Sequence, residues 1–348
     1  MDQAYNGDQG REWINTSQRF SAYREARDRA AGFRGSLTWH RVGEADYLQR
    51  SYYDGSGRRR QKNEGRRDLR TETLKSDWET GRERANSRLA AIKTVLARQA
   101  AVNRALDLGR MPLLGARILR AFDEHGLVGK GIRVVGTNAL FAYEAAAGRL
   151  IDAAVTTTED IDFLMDSRRA LRLVADDTIL PETLIDVLRT VDRSFQKSRQ
   201  TFRAVNRAGY LVDLIKPLRR PPWRPDRETV GAPDDDLRAA SIAGLAWLES
   251  APPFESMIID ERGMPLRMVA PDPRVFAAHK LWLSRQPDRQ VAKRNRDAMQ
   301  AQVVASLVRR QLLHLPYEAG ELRMLPREVF DAARPLFEGG PDEDDPFA

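Results

Sequence analysis

The sequence contains no cysteine among its 348 residues. Disulfide bonds and thiolate metal sites are therefore excluded, and the lack of cysteine fits a protein of the cytoplasm. Histidine is also scarce, since only four are present and their positions do not form a recognisable metal-ligand spacing. We therefore expect the histidines to have packing or surface roles.

Long apolar runs are missing as well. No stretch of about 18 apolar residues occurs, so no transmembrane helix and no membrane partner are predicted. The first residues, MDQAYNGDQGREW, lack the apolar core of a signal peptide, which favours a cytoplasmic location. Neither a Walker-type Gly-Lys-Ser/Thr loop nor a dinucleotide-binding fingerprint is found, so a nucleotide site would need another design.

Positive charge is in excess. The net charge is +7, with 31% charged residues, and a basic surface favours polyanionic partners such as nucleic acid. The alternative is an arginine-rich composition without such a partner. The most basic segment, RRRQKNEGRR (Arg58–Arg67), is interpreted as a loop that either contacts RNA or is merely flexible.

Four regions differ in their sequence patterns. Residues 1–110 predict short strands joined by turns and then a long helix over 73–108. Residues 111–220 predict a helix, a strand–turn–helix unit, a second strand, another helix and a hairpin. Residues 221–335, after a proline-rich connector at Pro217–Glu228, are predicted to be mainly helical. Residues 336–348 are predicted to be an acidic, disordered tail.

The stretch TTTEDIDFLMD places two aspartates at the start of an apolar run. Alternate residues of a strand project from the same face, so Asp160 and Asp162 would point the same way, roughly 6.5–7 Å apart. Like charges on one face repel each other unless a cation lies between them, and carboxylates suit hard divalent cations. The alternative is a solvated turn in front of a strand.

A third carboxylate, Asp213, lies inside the apolar run YLVDLIKP. An acid within a strand core is unfavourable unless it is paired or bound to a metal. If this strand lies beside the first, Asp213 completes a three-carboxylate site for two Mg²⁺ ions, an arrangement that stabilises the attacking and leaving oxygens of an in-line displacement. The alternative is an exposed acid on an edge strand.

Gly136 and Thr137 lie between the predicted strand RVV and the predicted helix NALFAYEAAAG. Glycine lets the backbone approach a ligand closely. The Thr137 hydroxyl can cap the helix, whose first amides favour a phosphate group. This turn therefore predicts a binding site for a triphosphate next to the carboxylates.

The ordered set of Gly136–Thr137, Asp160 with Asp162, and Asp213 resembles the signature of the nucleotidyltransferase superfamily that includes DNA polymerase β. The longer string GTNALFAYEAAAGRL…TTEDIDFLMD…GYLVDLIKP is similar to bacterial nucleotidyltransferase-fold proteins related to abortive-infection and toxin–antitoxin nucleotidyltransferases. The resemblance implies an α+β fold. Its parts are a polymerase β-like core of mixed sheet and flanking helices, a helical C-terminal region, and an N-terminal β-hairpin and helix region.

The resemblance also implies phosphate contacts from the segment HKLWLSRQPDRQVAKRNRDAMQAQ. Lys280 and Lys293 would bind the nucleotide, and Arg296 with Asp297 is similar to the Arg-Asp pair of the relatives. The alternatives are solvated helix faces for both lysines and a local pairing of Asp297 along its own helix.

We therefore expect a metal-dependent nucleotidyltransferase that uses Asp160, Asp162 and Asp213, two Mg²⁺ ions (or Mn²⁺) and ATP or another nucleoside triphosphate. The expected acceptor is a hydroxyl of RNA, such as a tRNA 3′ end. A role as a toxin or phage-defence effector, with a cognate antitoxin as partner, is implied by the resemblance alone. Transfer to a protein or small molecule, and a non-catalytic nucleic-acid-binding protein, are the alternatives.

Overall fold

The computed structural model describes residues 3–53, 59–168, 183–219, 228–230 and 236–338. Its N-terminal part contains two long helices and a small antiparallel sheet with the strand order β2–β3–β4. The elements are β1 (Gln3–Ala4), α1 (Gly7–Ala31), β2 (Ser36–Val42), β3 (Ala45–Tyr53), β4 (Arg59–Arg66) and α2 (Leu69–Ala105). The predicted strands and long helix are thereby confirmed.

Most of the basic segment Arg58–Arg67 is a strand and not a loop, so that interpretation was wrong for the described residues; Arg58 lies outside them. Residues Arg59–Arg66 form β4, which pairs antiparallel with β3. Every residue of this strand is polar or glycine, so the alternation of apolar and polar residues that identifies a strand is missing from its sequence. Its strand conformation depends on backbone hydrogen bonds to β3.

The middle part of the chain builds a six-stranded mixed sheet in the order β5–β7–β10–β9–β8, with β11 also beside β10. The predicted strand–turn–helix unit, paired strands and hairpin are confirmed, whereas β11 was not foreseen. The elements are α3 (Leu113–Glu124), β5 (Ile132–Val135), α4 (Leu140–Ala147), β6 (Arg149–Leu150), α5 (Ala153–Thr156), β7 (Asp160–Met165), α6 (Leu184–Val191), β8 (Gln196–Lys197), β9 (Arg203–Val205), β10 (Leu211–Pro217) and β11 (Ala240–Ile242).

The last part of the chain contains a hairpin and five helices among its described residues. They are α7 (Leu245–Ser250), β12 (Pro253–Ile259), β13 (Pro265–Pro271), α8 (Pro273–Ser284), α9 (Val291–Arg310), α10 (Arg327–Ala333) and α11 (Pro335–Glu338). Strand β12 was not predicted from the sequence. Residues 336–338 were predicted to begin the disordered tail but belong to α11. The rest of the tail, residues 339–348, and residues 220–227 of the proline-rich connector lie outside the described residues.

Both faces of the mixed sheet are covered. Ile161, Phe163 and Met165 of β7 enter the larger apolar core, which also contains residues of α3, α4, α6 and the β12–β13 hairpin. Leu164 enters a second core with residues of α7, α8 and α10. Asp160 and Asp162 alternate with the first set, so they share the face of Leu164, on the side of the second core. None of the helices described here combines the length and apolar character of a membrane span.

Helix α2 is anchored to the rest of the molecule through the buried side chain of Asn103. Its amide nitrogen donates to the Gly263 carbonyl at 2.9 Å. Its oxygen accepts from the Thr16 hydroxyl at 2.8 Å and from the Gln99 amide at 3.0 Å. One side chain thus connects α2 with α1 and with the turn of the β12–β13 hairpin.

We expect Asn103→Ala to lower the free energy of unfolding by about 2–3 kcal/mol, because it leaves a buried carbonyl and a buried hydroxyl without partners. Asn86→Ala is the matched control, since Asn86 is exposed on the same helix; its expected change is within about 0.5 kcal/mol. Urea unfolding measures both, and equal effects of the two substitutions would contradict this role of Asn103.

Candidate functional site

Three aspartates lie side by side at one end of two neighbouring strands. Asp160 and Asp162 are both in β7, and Asp213 in β10 is the direct register partner of Asp162. The two strands run parallel, so the carboxylates of Asp162 and Asp213 occupy the same face of the sheet. The condition on which the three-carboxylate site depended, that the strand of Asp213 lies beside the strand of Asp160 and Asp162, is therefore met.

The carboxylate of Asp162 has a raised pKa at this position. Burial raises the pKa of Asp162 to about 7, and the charges of Asp160 and Asp213 add to the effect. The cations Lys280 and Arg203 act in the opposite direction and lower this pKa. A carboxylate with such a pKa is poised to accept a cation, because a positive ion would relieve the repulsion.

Asp213 is bound by Arg203, which the sequence analysis did not single out. The guanidinium donates from Nε to Oδ1 at 2.7 Å and from a terminal nitrogen to Oδ2 at 2.6 Å. The hydrogen bonds to Asp213 raise the pKa of Arg203. Arg203 lies directly opposite Asp213 in the β9–β10 pairing. The register of the predicted hairpin could therefore have identified Arg203 as the neighbour of Asp213.

Asp160 is held through its side chain and its backbone. The Thr158 hydroxyl donates to the Asp160 carboxylate. The Asn138 amide donates to the Asp160 carbonyl at 2.7 Å, which ties the start of β7 to the turn after β5. The side-chain oxygen of Asn138 is buried and accepts no hydrogen bond from the residues described. Neither residue was predicted to take part.

Gly136 brings the backbone against Asp162. Its φ of 62° lies in the region that disfavours residues with a side chain. A Cβ atom at this position would lie 2.1 Å from Oδ2 of Asp162, which is far inside van der Waals contact. Glycine is therefore required at this turn on two independent grounds, and the close approach is to Asp162. The predicted approach of this backbone to a ligand stays a prediction.

The Thr137 hydroxyl has a different role from the predicted helix cap. In the part of the chain described, no side chain caps the start of α4, and Thr137 itself lies in a short 3₁₀ turn. Its hydroxyl accepts hydrogen bonds from Arg296 at 2.9 Å and from Gln300 at 3.2 Å. A hydroxyl that accepts two bonds keeps its own hydrogen for another acceptor, such as a phosphate oxygen.

Lys280 is buried rather than on a solvated helix face, so that alternative is wrong. Its ammonium donates to Asp297 at 2.8 Å, and Arg289 donates to the same carboxylate at 2.8 Å. Burial lowers the pKa of Lys280. The suggested pairing of Asp297 along its own helix is also wrong, because its partners come from α8 and from the loop before α9.

Lys293 differs from Lys280, because it is exposed and makes no ion pair or hydrogen bond with the described residues. It lies three residues before Arg296 and seven before Gln300 on α9, which places it on the same side of the helix as these two residues. Its predicted phosphate contact therefore stays a prediction.

The donor set has the chemistry that a hard divalent cation requires. The three aspartates offer only oxygen donors, which Mg²⁺ and Mn²⁺ prefer. Within the described ranges, however, no three acidic or histidine side chains come together as the ligands of one ion. Both oxygens of Asp213 bind Arg203. Asp160 and Asp162 therefore fit a divalent cation in chemistry, and Asp213 fits once it is shared with Arg203.

We expect Asp162→Asn to stabilise the metal-free protein in a pH-dependent way. A raised pKa means that the folded state holds the proton more tightly, so ionisation of Asp162 costs stability as the pH rises from about 4 to about 7. The substitution should therefore raise the free energy of unfolding above about pH 7, by at most about 4 kcal/mol, and lose its effect below about pH 4.

Chemical unfolding in the presence of a chelator measures this difference. The matched control is Asp166→Asn, because Asp166 follows the same strand but is paired with Arg168 at 2.9 Å. Asp166→Asn should lower the free energy of unfolding or leave it unchanged. A gain for Asp162→Asn that does not depend on pH would contradict the assignment.

Comparison with known proteins agrees with this arrangement. A family model described as nucleotidyltransferase matches residues 114–325, more than half of the chain and a range that includes every residue of the site. No curated protein and no solved structure matches the chain. The three aspartates and the glycine turn thus lie within the matched range, and the chain belongs to the nucleotidyltransferase family.

Proposed function

We propose that the chain transfers a nucleoside monophosphate from a nucleoside triphosphate to an acceptor hydroxyl and releases pyrophosphate, with Asp160, Asp162 and Asp213 as the centre of the reaction. The observation that carries this proposal is the register of β7 and β10, which sets Asp213 directly beside Asp162. Carboxylates gathered in this way are unfavourable in a fold unless they bind a cation.

The residues that would hold divalent metal follow from their positions. Asp160 and Asp162 would bind two Mg²⁺ ions, or Mn²⁺, and Asp213 would bind the ion nearer the acceptor. When bound, such ions offset the charge of the triphosphate and favour ionisation of the acceptor hydroxyl. Asp213 would orient this hydroxyl and take part in accepting its proton. Arg203 has to share or release Asp213 for this to happen.

The triphosphate would lie along the Gly136–Thr137 turn. Gly136 permits a close approach of the phosphates to the backbone, and the Thr137 hydroxyl has a hydrogen to donate. Lys280 supplies a buried positive charge that already interacts with Asp162, and Lys293 would contact the outer phosphates. Helix α9 supports both parts, through Arg296 and Gln300 at the turn and through Asp297 at Lys280.

RNA is the acceptor that the charge of the protein favours. The net charge of +7 provides attraction for a phosphate backbone, and the terminal hydroxyl of a tRNA offers a nucleophile of the required kind. Transfer to a protein hydroxyl or a small molecule is the second candidate. A toxin or phage-defence role with a cognate antitoxin belongs to this proposal through the sequence resemblance alone.

We expect Asp160→Asn/Asp162→Asn to reduce label transfer by a hundredfold or more, as is roughly expected when charge stabilisation at a reacting centre is removed. The assay incubates the protein with each of the labelled nucleoside triphosphates, Mg²⁺ and either total RNA or total protein. Asp166→Asn serves as the folded control. Equal transfer by wild type and the double variant would refute the proposal, and the labelled fraction identifies the acceptor.

We expect Arg203→Gln to increase affinity for Mn²⁺ by roughly tenfold, because a charge-assisted bidentate pair no longer competes for Asp213. Titration calorimetry with Mn²⁺ measures this affinity without any reaction. Arg207→Gln is the control, since Arg207 is exposed in the turn of the same hairpin. A weaker affinity in Arg203→Gln would show that Arg203 does not compete with metal, and no binding by wild type would favour a non-catalytic protein.

A further inference from the structure

The excess of positive over negative charge lies in the first third of the chain. Residues 1–110 contain 23 lysines and arginines against 15 aspartates and glutamates, whereas residues 111–348 contain 34 against 35. The part of the chain that precedes the family match at residue 114 thus carries all of the excess, and the part with the site is close to neutral. The attraction for a polyanion therefore acts outside the site.

The sheet β2–β3–β4 concentrates this charge on one of its faces. Arg50 in β3 is the direct register partner of Lys62 in β4, and Tyr52 is the partner of Arg60 one step further along. Residues two apart in a strand share a face, so Arg50, Tyr52, Arg60 and Lys62 lie together. We refer to these four residues as the basic sheet patch. The three cations are exposed.

The basic sheet patch is unfavourable for the stability of the sheet. Like charges directly opposite each other in neighbouring strands repel, and Arg50 faces Lys62 in this way. Glu64 offsets part of the charge through an ion pair with Lys62 at 3.0 Å. Arg50 has no acidic partner among the described residues, and its guanidinium lies 5.9 Å from the centre of the Tyr52 ring. An exposed basic face of this kind attracts an external anion.

The patch and the site belong to different sheets. Thr71, in the first turn of α2, bonds to the end of β4, whereas Asn103, near its last turn, bonds to the core hairpin. Helix α2 thus connects the sheet of the patch with the core. A ligand that contacts both the patch and the site therefore has to extend from the β2–β3–β4 sheet to the six-stranded sheet.

We propose that the basic sheet patch is the docking surface for the sugar–phosphate backbone of an RNA acceptor, whose end reaches the aspartate site. This inference rests on the proposed function in one respect, namely that the acceptor is RNA. Cations on one face contact phosphates, and the neighbouring Tyr52 ring offers an apolar surface for an unpaired base. A surface of this kind binds by charge and shape, without base-specific contacts.

An RNA fits these observations better than an acidic protein or a membrane surface. A ligand that brings phosphates to the patch and a hydroxyl to the site has to be one continuous anionic chain, and folded RNA provides regularly spaced charges along its length. A membrane surface would account for the patch but would leave the site without an acceptor. Acidic polypeptide and anionic vesicles are therefore the competitors in the experiment.

The test uses Arg50→Glu in the full chain. The new carboxylate would face Lys62, so repulsion across the strands becomes attraction, and the midpoint of thermal unfolding should be unchanged or raised. RNA affinity should nevertheless fall roughly five- to tenfold, and the slope of log affinity against log salt should become shallower by about 1. The double variant Arg50→Glu/Arg60→Glu should lower the RNA affinity further. Arg323→Glu is the control, because Arg323 is exposed and lies in the near-neutral part of the chain.

Fluorescence anisotropy with a labelled, folded RNA measures binding in the presence of chelator and without nucleotide, so the result does not depend on catalysis. Equal affinity of Arg50→Glu and wild type, or an equal loss in Arg323→Glu, would overturn the docking surface. Displacement of RNA by phosphatidylserine vesicles or polyglutamate at equal charge would also overturn it. If the patch binds RNA but no label is ever transferred, the proposed function fails and the docking surface stands.

Discussion

Repulsion among Asp160, Asp162 and Asp213 is the constraint on which the rest of the site depends. The pairing of β7 with β10 sets Asp162 and Asp213 side by side, and burial raises the pKa of Asp162 to about 7. Two cations of the chain reduce the unfavourable free energy of these neighbouring carboxylates. Arg203 binds Asp213 directly, and the charge of Lys280 attracts Asp162. The metal-free fold thus keeps an electrostatic strain that a divalent cation would relieve.

Helix α9 joins the parts of the site that belong to different segments of the chain. Its Arg296 and Gln300 orient the Thr137 hydroxyl, and its Asp297 holds Lys280 of α8. One rigid helix therefore sets the position of the turn proposed to bind phosphate relative to the buried lysine. The N-terminal part is arranged differently, since its sheet is separate from the sheet of the site and α2 is anchored to the core hairpin through Asn103.

Patterns that repeat locally were predictable from the sequence, and interactions between distant segments were not. Alternation around Asp160 and Asp162 predicted both the strand and the common face, and helical spacing predicted α2 and the helical character of residues 221–335, although it did not identify α1. Strand β4 has no apolar alternation, and the partners of Thr137 lie about 160 residues away along the chain, so neither leaves a local signal. Arg203 lies between these two cases, because it can be predicted as the partner of Asp213 only once the register of the hairpin is known. The boundaries at residues 110 and 220 stay predictions.

Asp162 is a strained carboxylate, and a divalent cation shared with its neighbours would relieve the strain. Titration of the Asp162 side-chain carbon by NMR, with and without Mg²⁺, tests this directly. We expect a pKa near 7 without metal and a clear decrease when Mg²⁺ is added, because a bound cation favours the ionised form. An ordinary pKa near 4 without metal, or a raised pKa that does not respond to Mg²⁺, would contradict it.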